Sequence, residues 1–356
     1  MFPRLNIDLE KLSHNATTLV GICQRNAISA AAVTKVFCAD SKMVEALRQV
    51  PFGCMADSRL ENIESYPDSL KQRKMLLRLP MPSEADRVVR ATDLSLNSEI
   101  HTIKLLGDAA KKANKPHGVI LMIDLGDLRE GIYHTEKKLI HETVRTILEH
   151  KSLDFEGIGV NLTCYGSVLP SPENLQNLVR VAKDIEETFD IRVKTLCGGN
   201  SSSLSLLVDG KVPKEINNLR LGESIIRGVE TAYGSPFASL KQDVITLEAE
   251  IIEVMEKPSL PEGETGFNAF GERITYLDEG IRLRAILAVG RQDTSVSGLT
   301  PVLPGINVIG GSSDHLLVDI THAVLPLGVG DSLVFTLSYG AILAGFTSPY
   351  VKRQYI

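Results

Sequence analysis

AAAVTKVFCAD, residues 30–40, is the stretch on which the fold turns. Ala30 to Val33 are small or β-branched, and Val36 and Phe37 are apolar. A run of this kind between polar stretches predicts a strand covered on both faces, as in a parallel sheet wrapped by helices. Lys35 stands at its end, where lysine is uncommon. It reads either as a snorkelling residue with its ammonium in water or as a Schiff-base lysine, whose desolvation favours the neutral amine that attacks an aldehyde. The stretch alone leaves both readings open.

Working outward, short apolar runs recur: AAAVTKVF, GCMADS, KMLLRL, ATDLSLN, GVILMIDL, FEGIGVNL, VKTLCGG and NNLRLGE. Amphipathic stretches such as SKMVEALRQV and HETVRTILEH separate most of them. Eight strand-helix units predict an α/β fold, a (β/α)8 TIM-type barrel with its active site at the strand ends. Lys35, Asn161 and Asn200 fall at or near such ends. After Tyr233-Gly-Ser-Pro the pattern changes to short strands and turns, as in DVITLEAEIIEVM, RLRAILAVG, NVIGGSSDHLLVDI and DSLVFTLSYG. This predicts a barrel over residues 8–233 and a C-terminal all-β domain over 234–356. RLNIDLEKLSHN is an extended piece leading into a helix, with Ser13 too deep in the pattern to cap it. Residues 1–7 have no fixed assignment, and joining the β domain is an open alternative.

Composition narrows the partners. A formal net charge of −6, 5% aromatic residues and no basic cluster argue against a nucleic-acid groove and for small molecules. The start, MFPRLN, lacks the regions of a signal peptide, and no apolar run approaches the length of a membrane span of about 18 residues. The expected compartment is cytoplasmic, with no membrane partner. Cys23, Cys38, Cys54, Cys164 and Cys197 form no CxxC or Cys/His spacing, which predicts reduced thiols, no disulfide and no metal site.

Several stretches can carry chemistry. CGGNSSSL, residues 197–204, follows the seventh predicted strand and crowds small residues and hydroxyls at a helix start, where free N–H groups bind anions. A Ser-capped helix after a Gly turn explains it equally well. LRLGESIIRG, residues 219–228, places a Gly before a helical start after the eighth strand, and barrels often bind phosphate after strands seven and eight. Arg220 faces the same mouth, with a rim salt bridge as the plain alternative. MIDLGDLREG, residues 122–131, offers Asp124 and Arg129, which read equally well as a local ion pair in a solvated loop. GSSDHLLVD offers Asp314 and His315, or simply a hairpin.

Taken in order, PRLNIDLEKLSHN, VTKV, IDLGDLREG, GVNLTCYGSVLPSPEN, GGNSSSL, LRLGES, GFNAFGE, RAILAVGRQD and GSSDHLLVD resemble the alanine racemase-like, fold-type III pyridoxal-phosphate enzymes, and within them the ornithine racemase branch. The resemblance spans nearly the whole chain. It implies a racemase of ornithine or another basic amino acid, an isomerase using pyridoxal 5'-phosphate held as an internal aldimine on Lys35. By the same likeness Arg220 matches the arginine at the pyridine nitrogen, and Ser201, Gly222 and Glu223 match phosphate-binding positions, the last two through backbone N–H groups. Asn161 and Asn200 flank the cofactor, and Tyr355 corresponds to a C-terminal tyrosine reaching the phosphate. Arg129 matches the arginine near the substrate carboxylate, with Tyr165, Ser313 and Asp314 as further substrate contacts. Asp314 is the expected partner of a side-chain ammonium. A homodimer with shared active sites is also implied.

The sequence departs from alanine racemase at three places. Asn161 stands where a histidine packs on the cofactor ring, and Met122 replaces a lysine that supports the substrate arginine. GETGFNAFG lacks the tyrosine expected near Gly263 to Gly271. Racemisation therefore needs another second base. Tyr339, Cys164, Tyr165 and His315 are able to take a proton, and His315 and Cys164 rank first because an imidazole or thiol titrates nearer neutrality than a phenol. Three other readings stand beside racemisation: a D-amino-acid aldolase of the same barrel type, a non-catalytic pyridoxal-phosphate homeostasis protein, and a sugar-phosphate barrel enzyme.

Overall fold

In the computed structural model, which describes residues 1–356, the eight apolar runs form a closed, wholly parallel barrel. Its strands are Ser29–Val33, Cys54–Asp57, Arg73–Leu76, Leu94–Asn97, His117–Asp124, Leu153–Gly159, Thr195–Cys197 and Asn218–Leu221. Each pairs with the next, and the last closes onto the first with Arg220 opposite Ala31. The interior is filled by Ala31, Cys54, Ala56, Met75, Leu94, Leu96, Ile120 and Met122. Burial on both sides is why these strands read as continuous apolar runs rather than alternating ones.

The first strand is shorter than the sequence suggests. It stops at Val33, and Lys35–Phe37 form a turn of 3-10 helix, so Lys35 lies just beyond the strand rather than within it. The intervening helices have identifiable starts. Asp40 caps Ser41–Leu47 by accepting from the Lys42 and Met43 N–H groups, and Ser171 with Asn174 forms a capping box on Pro172–Phe189.

The chain divides into two compact units, Glu10–Gln242 and Met1–Leu9 with Asp243–Ile356. The expected break after residue 233 falls before this division. Residues 234–242 stay with the barrel unit, where Phe237 N donates to Gly228 O and Lys241 N to the Asn15 side chain.

In the second unit, the strands Leu299–Pro301, Ser332–Leu337, Ile245–Pro258, Ile281–Leu287, Leu316–Asp319 and Asn307–Gly311 follow one another across an antiparallel sheet. The N-terminal strand Arg4–Ile7 joins this sheet, antiparallel to Ile245–Pro258 and parallel to Lys352–Tyr355. The unit also carries a nine-residue helix, Tyr339–Thr347, capped by Ser338. No helix of the protein is long and apolar enough to cross a membrane.

Candidate active site

The C-terminal ends of the barrel strands bring together most residues singled out in the barrel unit. After the first strand, Thr34 is fully buried and fixes the chain entering Lys35. Its hydroxyl donates to Asp57 Oδ2 at 2.5 Å, and the Tyr66 hydroxyl lies 2.7 Å away. The single Thr34 proton goes to the carboxylate, so Tyr66 is the donor in the second bond. Asp57 also accepts from Arg59 N and Asn62 Nδ2. Burial pushes the Asp57 carboxyl up, and its hydrogen bond from Thr34 leads the opposing effects. Lys35 itself is half-buried.

At the seventh strand end, Asn200 rather than a serine caps the turn Ser201–Ser203, its side chain accepting from Ser202 N at 2.9 Å. The Ser201 hydroxyl meets Gly222 N and Ser224 N at 3.4 Å each. These contacts are long for hydrogen bonds, so the donors converge without being saturated. The close approach of strands one and eight requires glycine at 222: a Cβ there would sit 3.0 Å from Val33 Cβ and 3.3 Å from its carbonyl oxygen. Glu223 follows with its backbone at the start of Glu223–Arg227, and its carboxylate pairs with Arg227.

Arg220 is 3% exposed and has no carboxylate partner, so it makes no rim salt bridge. Its Nη2 donates to Val160 O at 2.5 Å and Asn161 Oδ1 at 3.1 Å, while its Nε is buried with no partner. Asn161 in turn donates through Nδ2 to Glu130. Glu130 takes a two-pronged ion pair from Arg129. Burial raises the Glu130 carboxyl, but Arg129 and Asn161 outweigh that and hold it below its ordinary range. Arg129 therefore pairs with Glu130, whereas Asp124 accepts from Gly126 N and Leu128 N and shapes the loop.

Cys164 and Tyr165 lie on the loop after the sixth strand, and both are exposed. Buried Asp127 holds that loop by accepting from Cys164 N, Tyr165 N and Val168 N at 2.9–3.1 Å. Asn200 Nδ2 reaches Leu162 O at 3.0 Å and the Cys164 sulfur at 3.5 Å. Although Cys164 as a residue is exposed, packing around the sulfur pushes its thiol up; Arg129 opposes this, Glu130 and Asp127 add to it, and Lys35 opposes it.

The other candidates belong to the second unit. Ser312 to His315 form the turn between strands Asn307–Gly311 and Leu316–Asp319, the hairpin reading of that motif. The Asp314 carboxylate accepts from Ser313 Oγ at 2.7 Å and from Gln292, with no cation against it. His315 Nδ1 lies 3.5 Å from Ser312 Oγ. Tyr355 sits on the last strand, opposite Ile7, and Tyr339 opens the helix Tyr339–Thr347. In the segment lacking the expected tyrosine, Asn268 is a loop hub, accepting from Phe270 N and Glu272 N.

Glu130, Asp127 and the Thr34, Asp57, Tyr66 set are the groups that sequence reasoning missed. Glu130 and Asp127 sit inside IDLGDLREG, but apart from Arg129 beside Glu130 the partners of their side chains described above lie 31 to 41 positions away. No group of three or more His, Cys, Asp or Glu side chains is arranged to hold a metal ion.

A closed parallel barrel with hydroxyl, amide and guanidinium groups at its mouth, followed by an antiparallel-sheet unit, defines the class: a two-unit (β/α)8-barrel protein. Residues 7–228 match the family described as alanine racemase, N-terminal domain, and the chain belongs to that family. It is 45% identical over 354 residues to an ornithine racemase of Acetoanaerobium sticklandii, covering 99% of both chains. It is 35% identical over 356 residues to a lysine racemase of Thermotoga maritima, covering 100% of this chain and 99% of the relative. Among solved structures, alanine racemase from Bartonella henselae, which carries covalently bound pyridoxal phosphate, superposes with a TM-score of 0.75 at 19% identity over 100% of each chain. Alanine racemase from Streptomyces lavendulae gives 0.76 at 17% identity, covering 99% of this chain and 97% of that one.

Proposed function

We propose that this protein is a pyridoxal-phosphate-dependent amino-acid racemase acting on a basic amino acid, with ornithine as its first substrate. The observation that carries this reading is the 45% identity to an ornithine racemase along essentially the full length of both chains. The lysine racemase relative supports a substrate with a terminal ammonium.

The residues present fit the cofactor. Ser201 Oγ with the N–H groups of Gly222, Glu223 and Ser224 is a donor set for a phosphate, left unsaturated by the long contacts among its members. The buried, unpartnered Nε of Arg220 is a donor for a ring nitrogen. Lys35 would hold the aldehyde carbon, Asn161 and Asn200 would flank the ring, and Tyr355 would serve the phosphate. When bound, pyridoxal phosphate supplies an electron sink for the α-carbanion. Arg129 binds the substrate carboxylate, Tyr165 and Ser313 contact substrate, and Asp314 meets the far ammonium. Lys35 moves the α-proton on one face, and Cys164 or His315 moves it on the other.

Two further features belong to this reading. The protein is a homodimer that shares its active sites, a second copy covering the apolar side chains exposed in the second unit, such as Phe267 at 76% and Leu277 at 79%. Its five scattered cysteines with no CxxC spacing suit a cytoplasmic enzyme.

The test is to load the protein with pyridoxal phosphate and follow the optical rotation of L-ornithine, L-lysine, L-alanine and L-serine. Loss of rotation, fastest with a basic substrate, is expected. A pyridoxal-phosphate-loaded protein that leaves all four unchanged would overturn the reading.

A further inference from the structure

One charge in the barrel mouth has no role in the reading above. Glu130 ends the loop after the fifth strand, which Gly131 turns back at φ +121° so closely that a Cβ would lie 2.6 Å from Asp124 N. The Glu130 side chain is 14% exposed and accepts three hydrogen bonds, two from Arg129 and one from Asn161 Nδ2. A carboxylate has about four acceptor sites, so Glu130 is close to saturated. Asn161 is polarised from both sides, with its amide hydrogen on an anion and its Oδ1 receiving Arg220 Nη2 at 3.1 Å. The result is an unbroken line from Arg129 through Glu130 and Asn161 to Arg220.

We propose that Glu130 is a positioning residue that couples the grip of Arg129 on the substrate carboxylate to the grip of Arg220 on the cofactor ring, acting through Asn161. The proposal rests on the racemase reading. Glu130 occupies Nε and one terminal nitrogen of Arg129, which aims the remaining guanidinium edge at a ligand. The same carboxylate fixes the Asn161 amide, which holds Arg220 so that its free Nε keeps one direction. Removing the negative charge releases Arg129 and leaves the Asn161 amide without its anion. Substrate binding and the electronic state of the ring then change together.

The test compares the parent with Glu130→Gln, Asn161→Ala and the double variant. KM and kcat for ornithine are read alongside the visible absorbance band of bound pyridoxal phosphate. Glu130→Gln is expected to raise KM roughly ten- to a hundredfold, the effect of one charge-assisted bond, with a smaller fall in kcat and a displaced band. The double variant is expected to be less impaired than the product of the single effects, because both residues serve one line. An unchanged band, an unchanged KM, or fully multiplicative effects would overturn the coupling. Should Glu130→Gln fail to fold, Asn161→Ala decides alone: changes in both KM and band support the line, and a change in only one contradicts it. A parent that neither binds pyridoxal phosphate nor racemises any amino acid would instead sink the racemase reading.

Discussion

Thr34 donates a hydrogen bond to Asp57 across 2.5 Å, in a site from which water is excluded and directly before Lys35. Burial opposes the charge on Asp57, so the hydroxyl does double duty, satisfying the carboxylate and receiving Tyr66. Thr34→Val keeps the shape and removes both bonds. It is expected to destabilise the fold by about 1–3 kcal/mol, the cost of stranded buried polar groups. It should also weaken retention of pyridoxal phosphate, since the turn carrying Lys35 loses its anchor. Urea unfolding and cofactor dialysis check the two parts, and a variant as stable as the parent would contradict the first.

Acidification should weaken the fold through His117. This residue is fully buried, with Nε2 2.8 Å from Ser95 Oγ and no partner for Nδ1. Burial, aided by Lys115, depresses its imidazole from 6.5 to about 4. Above the unfolded value both states are neutral and the contribution is fully present. As pH falls through the folded value, the unfolded chain has already taken a proton that the folded chain resists, and about 3 kcal/mol is lost. Unfolding free energies near pH 7 and near pH 4 for the parent and His117→Gln measure this. The variant should show the smaller drop, and equal drops would count against it.

In the proposed reading Asp314, whose carboxylate faces no cation in the protein, is the partner of the substrate's far ammonium. Asp314→Asn is expected to lower the ornithine-to-alanine ratio of kcat/KM by roughly ten- to a hundredfold. Turnover of both amino acids by the two proteins decides it. A parent preferring alanine, or an unchanged ratio in the variant, removes Asp314 from side-chain recognition.

For the second base, Cys164 and His315 make separable predictions. The true base, replaced in Cys164→Ser or His315→Gln, leaves proton exchange intact from one enantiomer and abolishes it from the other. Solvent-deuterium incorporation from L- and D-ornithine reads this directly. A variant that exchanges normally from both enantiomers eliminates that residue.

How far these features were legible in the sequence follows from the range of the forces involved. The barrel was readable because eight doubly buried strands cannot avoid being continuous apolar runs, and the donors at strands seven and eight sit in one short motif each. The end of the first strand was not, because Thr34 turns inward to Asp57, 23 residues on. The helix Tyr339–Thr347 hides in LSYGAILAGFT, whose two glycines weaken a helical reading and whose apolar face has little contrast, although Ser338 was a capping signal. A local ion pair of Arg129 with Asp124 was one open reading of the motif. Arg129 pairs instead with Glu130, which also accepts from Asn161, a residue that the closed barrel brings alongside. Local chemistry announces itself in sequence, whereas a polar network assembled across strands does not.

The central claim is that Lys35 carries the cofactor, and one labelling measurement reaches it most directly. The protein loaded with pyridoxal phosphate is reduced with borohydride, digested, and the modified peptide identified, in the parent and in Lys35→Ala. The account predicts the label on Lys35 in the parent, and loss of both label and racemisation in the variant, because the covalent bond needs a lysine amine at that place. A label on another lysine in the parent, or a Lys35→Ala protein that still fixes the cofactor and racemises ornithine, would contradict it.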